Sequence, residues 1–408
     1  MAKPPPSCPV PAVRPIPPAV VAEALVSELQ GAHADLTVRR IEERQARHEE
    51  WPAALDGRLV EALRRRGIRR PYVHQAAAME HALAGRNCVV VTPTASGKTL
   101  CYNAPVLSTI LKDPSARALY LFPTKALAQD QLDELHGLVT DLGEEIRTFT
   151  YDGDTPADAR RAIRSAGHIV ITNPDMLHTA ILPHHTKWTK LFESLEYVVI
   201  DEMHTYRGVF GSHVANVLRR LRRVCQFYGA DPAFILCSAT IANPGDLAAA
   251  LVGDDVEVVD DNGAPAGERV VVLYNPPVVN RELGVRQSSL KAARDIGARL
   301  IRSGVQTIVF APSRMRVEIL LTYLRDALRK KPGDPERIAG YRGGYLPNER
   351  RAIERGLRDG TVRGVVATNA LELGIDIGGL GASVVVGYPG TLASLWQQFG
   401  RAGRGDET

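Results

Sequence analysis

The sequence has few cysteines, few aromatic residues and no long apolar run. Its 408 residues include five cysteines and 6% aromatic residues. The cysteines form no Cys-x-x-Cys pair, which excludes a zinc site built from them. The sequence has no run of about eighteen apolar residues, so it predicts no membrane span. The segment after Met1 lacks the apolar core of a signal peptide. We therefore expect a cytoplasmic protein with reduced thiols, of which Cys88 and Cys237 lie in apolar, strand-like runs.

Length and charge allow a two-domain protein that binds nucleic acid, but they do not require one. The chain is too long for one ordinary hydrophobic core. Its formal net charge is +4, which is compatible with a nucleic-acid partner. Basic clusters lie at 64–70, 219–223 and 329–331. A solvated helix face is the simpler explanation for any single cluster, so the function must be inferred from motifs.

Short apolar runs alternate with helical patterns in two series. Near-continuous apolar strands between helices indicate parallel sheets that are covered on both faces. A stretch rich in Gly, Pro and Asp separates the series and places the domain boundary near residue 275. The predicted strands are Cys88–Val91, Ala118–Phe122, His168–Ile171, Tyr197–Ile200, Phe234–Cys237, Thr307–Phe310, Gly364–Ala367 and Ser383–Val386.

Three regions follow from this pattern. Residues 1–70 are expected to form a Pro-rich arm and a helical N-terminal region, with helices over Val20–Leu29, Leu36–Ala46 and Gly57–Arg66. Residues 71–275 and 276–408 are expected to form two α/β domains. Because the chain stops soon after an arginine-rich turn, we expect the last domain to be truncated.

A phosphate-binding loop is predicted directly after the strand at Cys88–Val91. The segment TPTASGKT at 92–99 keeps Gly-Lys-Thr at the start of a helix, although Thr92 replaces the usual first glycine. Backbone N–H groups at this position can wrap phosphates. Lys98 would neutralise phosphate charge, and Thr99 would bind Mg²⁺. The candidate nucleotide-binding residues here are Thr94, Ala95, Ser96, Gly97, Lys98 and Thr99.

Two carboxylates close the strand that ends at Ile200. In an open α/β sheet, ligands bind at the carboxyl ends of the strands. Asp201 is expected to hold Mg²⁺, and Glu202 to polarise the water that attacks the γ-phosphate. His204 would bridge this site to a neighbouring motif, unless it is only a polar residue at a strand end. Together with the phosphate loop, these residues predict a nucleotide triphosphatase.

The order of these and later motifs resembles the superfamily 2 helicases. DEMH at 201–204, SAT at 238–240 and QQFGRAGR at 397–404 are similar to motifs II, III and VI of that family. The resemblance implies two tandem RecA-like P-loop NTPase domains with parallel sheets, which bind ATP in the cleft between them. Gln397, Arg401 and Arg404 would then act on the phosphoryl group from the second domain, while Ser238 and Thr240 relay the nucleotide state.

Further segments resemble the remaining helicase motifs. Tyr72 and Gln75 lie in a Q-motif-like segment whose glutamine would read adenine, and Asp376 lies in a motif V-like segment that would contact the nucleotide. Other motif residues follow strands in both domains, where they can donate to phosphates without reading bases. Binding would therefore tolerate any sequence and weaken strongly with salt. The candidate nucleic-acid contacts are Pro123, Thr124, Lys125, Thr172, Pro174, Arg314, Thr368 and Asn369.

A narrower resemblance is carried by residues 92–99, 201–215 and 341–347. These segments are similar to the Hrq/YprA (MrfA) and mycobacterial SftH group of DNA helicases. That similarity implies ATP-dependent 3′-to-5′ movement on single-stranded or tailed DNA, linked to repair with unspecified partner proteins. Members also carry a C-terminal four-cysteine region that nothing in this sequence matches. Two alternatives remain open: a DEAD/H-type RNA helicase, and a truncated nucleic-acid-binding ATPase that does not unwind.

Overall fold

Two parallel β-sheets organise the molecule. The computed structural model describes residues 18–31, 35–329, 338–372 and 377–403. The strands are β1 (Asp35–Ile41), β2 (Cys88–Val91), β3 (Arg117–Leu121), β4 (Thr148–Thr150), β5 (Ile169–Thr172), β6 (Leu195–Ile200), β7 (Ala233–Ser238), β8 (Glu257–Val259), β9 (Arg269–Asn275), β10 (Val278–Asn280), β11 (Val285–Arg286), β12 (Thr307–Phe310), β13 (Ile338–Tyr341), β14 (Gly364–Ala367) and β15 (Ala382–Val385).

Helices cover these sheets and connect the strands. They are α1 (Pro18–Gly31), α2 (Gly57–Arg65), α3 (Val73–Leu83), α4 (Lys98–Lys112), α5 (Lys125–Leu142), α6 (Ala157–Ala166), α7 (Pro174–Met176), α8 (Thr189–Glu193), α9 (Gly208–Tyr228), α10 (Pro244–Val252), α11 (Ser289–Arg302), α12 (Arg314–Leu328), α13 (Pro347–Arg358) and α14 (Leu392–Phe399). Single turns at Met203–Thr205 and Asn369–Leu371 are 3₁₀-helical, and Leu177–Lys187 combines a π-helical turn with a 3₁₀ stretch.

The first domain is built on a seven-stranded sheet with the order β4-β5-β3-β6-β7-β2-β8, and the second on a four-stranded sheet with the order β13-β14-β12-β15. All strand pairs within both sheets are parallel. The carboxyl ends of the strands therefore meet at one edge of each sheet, which is where the predicted motifs begin.

Both faces of the first sheet are buried. In β2, Cys88 and Val90 pack into one apolar core, and Val89 and Val91 pack into the core on the opposite face. The side chains of these four residues point to opposite faces of the sheet in turn, because side chains in a strand have a period of two. The prediction of covered parallel sheets is confirmed, and every predicted strand lies within two residues of its observed bounds.

The N-terminal region differs from its prediction at one point. The helix expected over Leu36–Ala46 is wrong, because Asp35–Ile41 forms strand β1 and pairs antiparallel with β9 along its whole length. The Arg and Glu residues between Leu36 and Ala46 favour a helix, but the apolar strand β9 offers a pairing partner that the local sequence does not reveal. Helices α1 and α2 agree with the other two predictions.

Four of the five cysteines lie among the described residues. Cys88, Cys101, Cys225 and Cys237 are free, buried thiols, and burial raises their pKa values above the ordinary range for a thiol. None of the helices within the described ranges is long and apolar enough to cross a membrane.

The buried face of α9 gives a test of the first core. Val214 is 2% exposed, whereas Val209 in the same helix is 77% exposed. Val214→Ala should lower the free energy of unfolding by about 2 kcal/mol, because it leaves a cavity as well as removing apolar contacts. Val209→Ala should change it by less than about 0.5 kcal/mol. Urea denaturation of both variants checks this difference, and equal losses would contradict the packing of α9.

Candidate functional site

The phosphate loop is held closed by its own side chains. Between β2 and α4, Ala95 and Gly97 adopt left-handed backbone conformations with φ of 63° and 75°. The hydroxyl oxygens of Thr92 and Ser96 lie 2.6 Å apart in a buried hydrogen bond. Lys98 Nζ donates to the carbonyls of Thr92 (2.8 Å) and Pro93 (3.1 Å). The residue that replaces the usual glycine thus supplies a hydroxyl that fixes the shape of the loop.

Gln75 connects the start of α3 to the phosphate loop. Its amide nitrogen donates to Gly97 O (2.9 Å), and its amide oxygen accepts from Tyr72 N (2.9 Å). An amide has two N–H groups and an oxygen with two lone pairs, so both ends keep capacity for a ligand. Tyr72, Gln75, Gly97 and Thr99 line one cavity of about 630 Å³. This cavity is large enough for the base and sugar of a nucleotide.

Two carboxylates occupy the end of β6, beside the phosphate loop. Asp201 N–H donates to Leu121 O (3.1 Å), and Glu202 N–H donates to Asp201 Oδ1 (2.8 Å). Both side chains are less than 10% exposed. Burial, followed by the neighbouring Glu202 charge, raises the pKa of Asp201. Glu202 also adopts a left-handed conformation with φ of 49°, a strain that concentrates at functional sites.

A buried contact joins the two domains at His204. Gln397 Nε2 lies 2.7 Å from His204 Nε2, while His204 Nδ1 lies 3.4 Å from Glu202 Oε2. If the amide donates to Nε2, the imidazole proton sits on Nδ1 and faces the carboxylate. In this tautomer Nδ1–H faces Glu202 Oε2, a buried oxygen that has no hydrogen-bond partner among the described residues; the 3.4 Å distance is that of an ion-pair contact. Burial lowers the pKa of His204, which keeps the ring neutral near pH 7.

The residues expected to relay the nucleotide state lie in different surroundings. Ser238 is buried, and its hydroxyl donates to the adjacent Ala239 carbonyl (2.7 Å). Thr240 is exposed. Between these two residues, the Ala239 backbone nitrogen lies 3.3 Å from His204 Nδ1. That N–H can donate only in the other imidazole tautomer, in which Gln397 would present its oxygen to Nε2. The segment 238–240 therefore contacts His204 through the backbone of Ala239 and not through the hydroxyl of Ser238.

The motif VI-like turn packs against the phosphate loop. Thr94 Oγ1 donates to Gly400 O (3.4 Å), which is a second contact across the cleft. Arg401 is fully buried and donates through Nη2 to Glu372 O (2.8 Å) in its own domain. Arg404 and Asp376, the remaining predicted residues of this group, lie outside the described residues. The structure thus brings Gln397 and Gly400 to the first-domain site and ties Arg401 to the motif V-like turn.

The predicted nucleic-acid contacts all lie at or just after strand ends. They differ in exposure: Lys125, Arg314 and Asn369 are exposed, whereas Thr172 and Pro174 are buried. The hydroxyl of Thr172, the last residue of β5, donates to the carbonyl of Tyr151 directly after β4 (2.6 Å). Thr124 is also exposed and caps α5, Thr368 is buried and caps the 3₁₀ turn at Asn369–Leu371, and Pro123 is half-buried. The exposed members form the surface that a phosphate backbone can reach.

An acidic loop contacts one of these exposed members. Lys125 Nζ lies 2.6 Å from Asp154 Oδ2 and 3.8 Å from Asp152 Oδ2. The side chains of Lys125 and Asp154 are half or more exposed, so the ion pair stabilises the fold only weakly. Sequence reasoning missed this loop, although its Asp-Gly-Asp-Thr-Pro run after β4 is a turn signal.

A second feature that the sequence did not predict is a hydrogen-bonded network around Glu372, which connects motifs of the second domain. Glu372 Oε2 accepts from Ser394 Oγ (2.6 Å) and from Gln398 Nε2 (2.9 Å). The backbone carbonyl of Glu372 receives Arg401. No local pattern in the sequence indicates this network, because Glu372 lies 22 or more positions before its partners on α14 and at Arg401. Glu372 therefore fixes α14, and with it Gln397, relative to the end of β14.

The oxygen ligands present fit Mg²⁺ bound together with a phosphate. Thr99 and Asp201 supply a hydroxyl and a carboxylate, which are the hard ligands that this ion prefers. The raised pKa of Asp201 and the orphaned Glu202 oxygen mark a place where positive charge is favourable. No cluster of three or more His, Cys, Asp or Glu residues in the described part of the chain could hold a metal alone. Phosphate oxygens would have to complete the coordination.

Comparison with known proteins agrees with this geometry. Residues 72–247 match the family described as DEAD/DEAH box helicase, and residues 290–406 match the helicase conserved C-terminal domain. The ATP-dependent helicase YprA of Bacillus subtilis is 57% identical over 380 residues, which cover 93% of this chain and 51% of YprA. The ATP-dependent helicase hrq1 of Schizosaccharomyces pombe is 41% identical over 347 residues, 83% of this chain and 33% of hrq1.

A solved structure shows the same fold. The crystal structure of the DUF1998 helicase MrfA bound to DNA and AMPPNP has a TM-score of 0.89 and 56% identity, covering 95% of this chain and 54% of MrfA. The present chain thus spans about half the length of YprA and MrfA. The two parallel sheets are the predicted tandem RecA-like domains. The chain therefore belongs to the DEAD/DEAH box helicase family of superfamily 2, and it is similar to the YprA and Hrq1 helicases.

Proposed function

We propose that this chain is the motor of an ATP-dependent DNA helicase. The observation that carries the proposal is the buried path from Glu202 through His204 to Gln397, which connects the predicted hydrolytic carboxylate to the second domain. A catalytic group whose surroundings come from both domains is complete only when the cleft is closed. ATP hydrolysis and domain movement would thereby depend on each other.

The first domain would supply most of the ATP chemistry. The N–H groups of the phosphate loop and Lys98 bind the phosphates, and Gln75 and Tyr72 hold the base in the adjoining cavity. Mg²⁺, held by Thr99 and Asp201, would neutralise charge on the phosphoryl group. Glu202 would orient the attacking water and accept its proton.

The second domain would complete the site. Gln397 reaches the carboxylate through His204, and Arg404 would stabilise the charge on the transferring phosphoryl group. We assign Arg401 to the same group as the sequence predicts, with Asp376 beside the nucleotide. In the structure, Arg401 donates to the Glu372 carbonyl, so reaching a phosphate would require this turn to rearrange.

One observation favours DNA over RNA as the partner: the similar MrfA structure contains DNA and AMPPNP. The exposed side chains Lys125, Arg314 and Asn369 suit a phosphate backbone rather than bases, and that backbone is common to both nucleic acids. Movement in the 3′-to-5′ direction, a link to repair, a cytoplasmic location and domain bounds of 71–275 and 276–408 belong to the same proposal. An ATPase that binds nucleic acid without unwinding it is the second candidate, because the chain spans about half of YprA.

Steady-state ATP hydrolysis tests the proposal. The rate should rise about tenfold or more with single-stranded DNA and less with matched RNA, because cleft closure is coupled to the bound backbone. Duplex DNA and a reaction without nucleic acid complete the comparison. Lys98→Ala should lower the stimulated rate about 100-fold, since a phosphate-binding cation is lost.

Each outcome separates the candidates. Stimulation by RNA alone would contradict the DNA assignment. Stimulation by single-stranded DNA without displacement of a 3′-tailed duplex would support the ATPase that does not unwind. A rate that no nucleic acid changes would contradict the motor itself.

The role of Glu202 can be isolated by an isosteric change. Glu202→Gln should lower the hydrolysis rate about 100-fold or more while ATP affinity stays within about twofold, because only the proton acceptor is lost. Fluorescent ATP-analogue titration measures binding, and phosphate release measures turnover. Unchanged hydrolysis in a correctly folded Glu202→Gln protein would remove Glu202 from the mechanism.

A further inference from the structure

His74 joins two segments that are far apart in the chain. Its Nε2 lies 3.0 Å from the carbonyl oxygen of Ser96 in the phosphate loop, and Gly263 N–H donates to its Nδ1 (3.3 Å). Gly263 belongs to residues 260–288, which connect the last strand of the first sheet to α11 at the start of the second domain. We call this stretch the connecting segment. One imidazole therefore touches both the nucleotide loop and the path between the domains.

The two hydrogen bonds define a single state of the ring. Because Nδ1 accepts from Gly263, the proton must be on Nε2, which then donates to Ser96 O. His74 is 1% exposed, and burial lowers its pKa to about 4. The ring is neutral near pH 7, as a donor at one nitrogen and an acceptor at the other require. Protonation would place two N–H groups against each other at Gly263.

Gly263 is closely packed against the segment before α2 and the start of α3, with no space for a side chain. A Cβ at this position would lie 2.5 Å from Arg47 O and 2.7 Å from Val73 Cγ2. Gly263 O also accepts from Arg47 N (2.8 Å), and Val73 N donates to Arg47 O (3.1 Å). Three chain segments thus meet at His74: the one before α2, the start of α3 and the connecting segment. Only glycine permits this approach of backbones.

The nucleotide cavity adjoins the same junction. The Tyr72 ring lines the cavity and stacks on His74, with centroids 5.9 Å apart and planes at 13°. Tyr72 also contacts the ring of His48, 4.9 Å away. His74 therefore supports the wall of the cavity as well as the phosphate loop.

We propose that His74 is a positioning residue that fixes the connecting segment to the phosphate loop through Gly263, so that nucleotide binding and the relative movement of the two domains are coupled through this junction. The inference rests on the proposed function. Movement of the second domain must bend the connecting segment, and the junction at Gly263 is where that segment is held against the first domain. A change at the phosphate loop is thereby passed on through a rigid hydrogen-bonded path.

Two amide replacements separate the two bonds of His74. In His74→Gln, the amide nitrogen can occupy the place of Nε2 and still donate to Ser96 O, but nothing accepts from Gly263. In His74→Asn, the amide oxygen can occupy the place of Nδ1 and accept from Gly263, but Ser96 is out of reach. Gly263→Ala disturbs the junction from the connecting segment, because its Cβ would meet Arg47 and Val73, neither of which lines the nucleotide cavity. Gly57→Ala is the matched control, because a Cβ there meets nothing within 4 Å.

The experiment measures the KM for ATP and the ratio of kcat with and without saturating single-stranded DNA. His74→Gln and Gly263→Ala should keep a KM near the wild-type value and lose stimulation by about fivefold or more, the range of a typical coupling between sites. His74→Asn should raise the KM instead. Gly57→Ala should behave as wild type.

The outcomes distinguish this inference from the proposed function. Wild-type stimulation in both His74→Gln and Gly263→Ala would overturn it, as would a loss in His74→Gln that appears only as a raised KM. Thermal unfolding establishes that each variant is folded, and if Gly263→Ala is not, His74→Gln decides the question alone. A wild-type chain that hydrolyses no ATP or ignores nucleic acid would contradict the proposed function instead.

Discussion

The contact between His204 and Gln397 is the interaction on which the proposed mechanism depends. It is buried, 2.7 Å long, and made by residues 193 positions apart in two different sheet domains. On the other side of the ring, His204 Nδ1 lies 3.4 Å from Glu202 Oε2, a buried oxygen that has no hydrogen-bond partner among the described residues. An unpaired buried carboxylate oxygen is costly. The position of the second domain therefore affects the surroundings of the carboxylate to which we assign the hydrolytic role.

Strain and charge concentrate around this contact. Glu202 holds a left-handed conformation, which costs about 1 kcal/mol or more for a residue with a Cβ, and Asp201 is buried beside it with a raised pKa. The surrounding fold maintains both features, since β6 is central in the first sheet and buried on both faces. A phosphate-bound cation would stabilise the two carboxylates. Both features are consistent with the proposed binding of Mg²⁺ together with phosphate.

The sequence predicted what local pattern determines. Apolar runs located the strands because parallel strands are buried on both faces. The phosphate-binding role of Gly97 and Lys98, which rests on a turn that needs glycine and a cation, stays a prediction. The sequence failed where a distant partner decides the outcome. Strand β1 was predicted as a helix because β9 lies more than 200 residues away. His74, Glu372 and Asp154 were missed because side-chain partners of each lie 22 or more positions away in the chain.

The coupling of His204 and Gln397 is tested most directly by a double-mutant cycle on DNA-stimulated kcat/KM, using His204→Ala, Gln397→Ala and the double variant. If the two side chains act as one path to Glu202, the double variant should lose little more than either single variant, with an interaction free energy of about 1 kcal/mol or more. Losses that add to within about 0.5 kcal/mol would mean that the residues act independently, and the link between domain closure and the hydrolytic carboxylate would be contradicted.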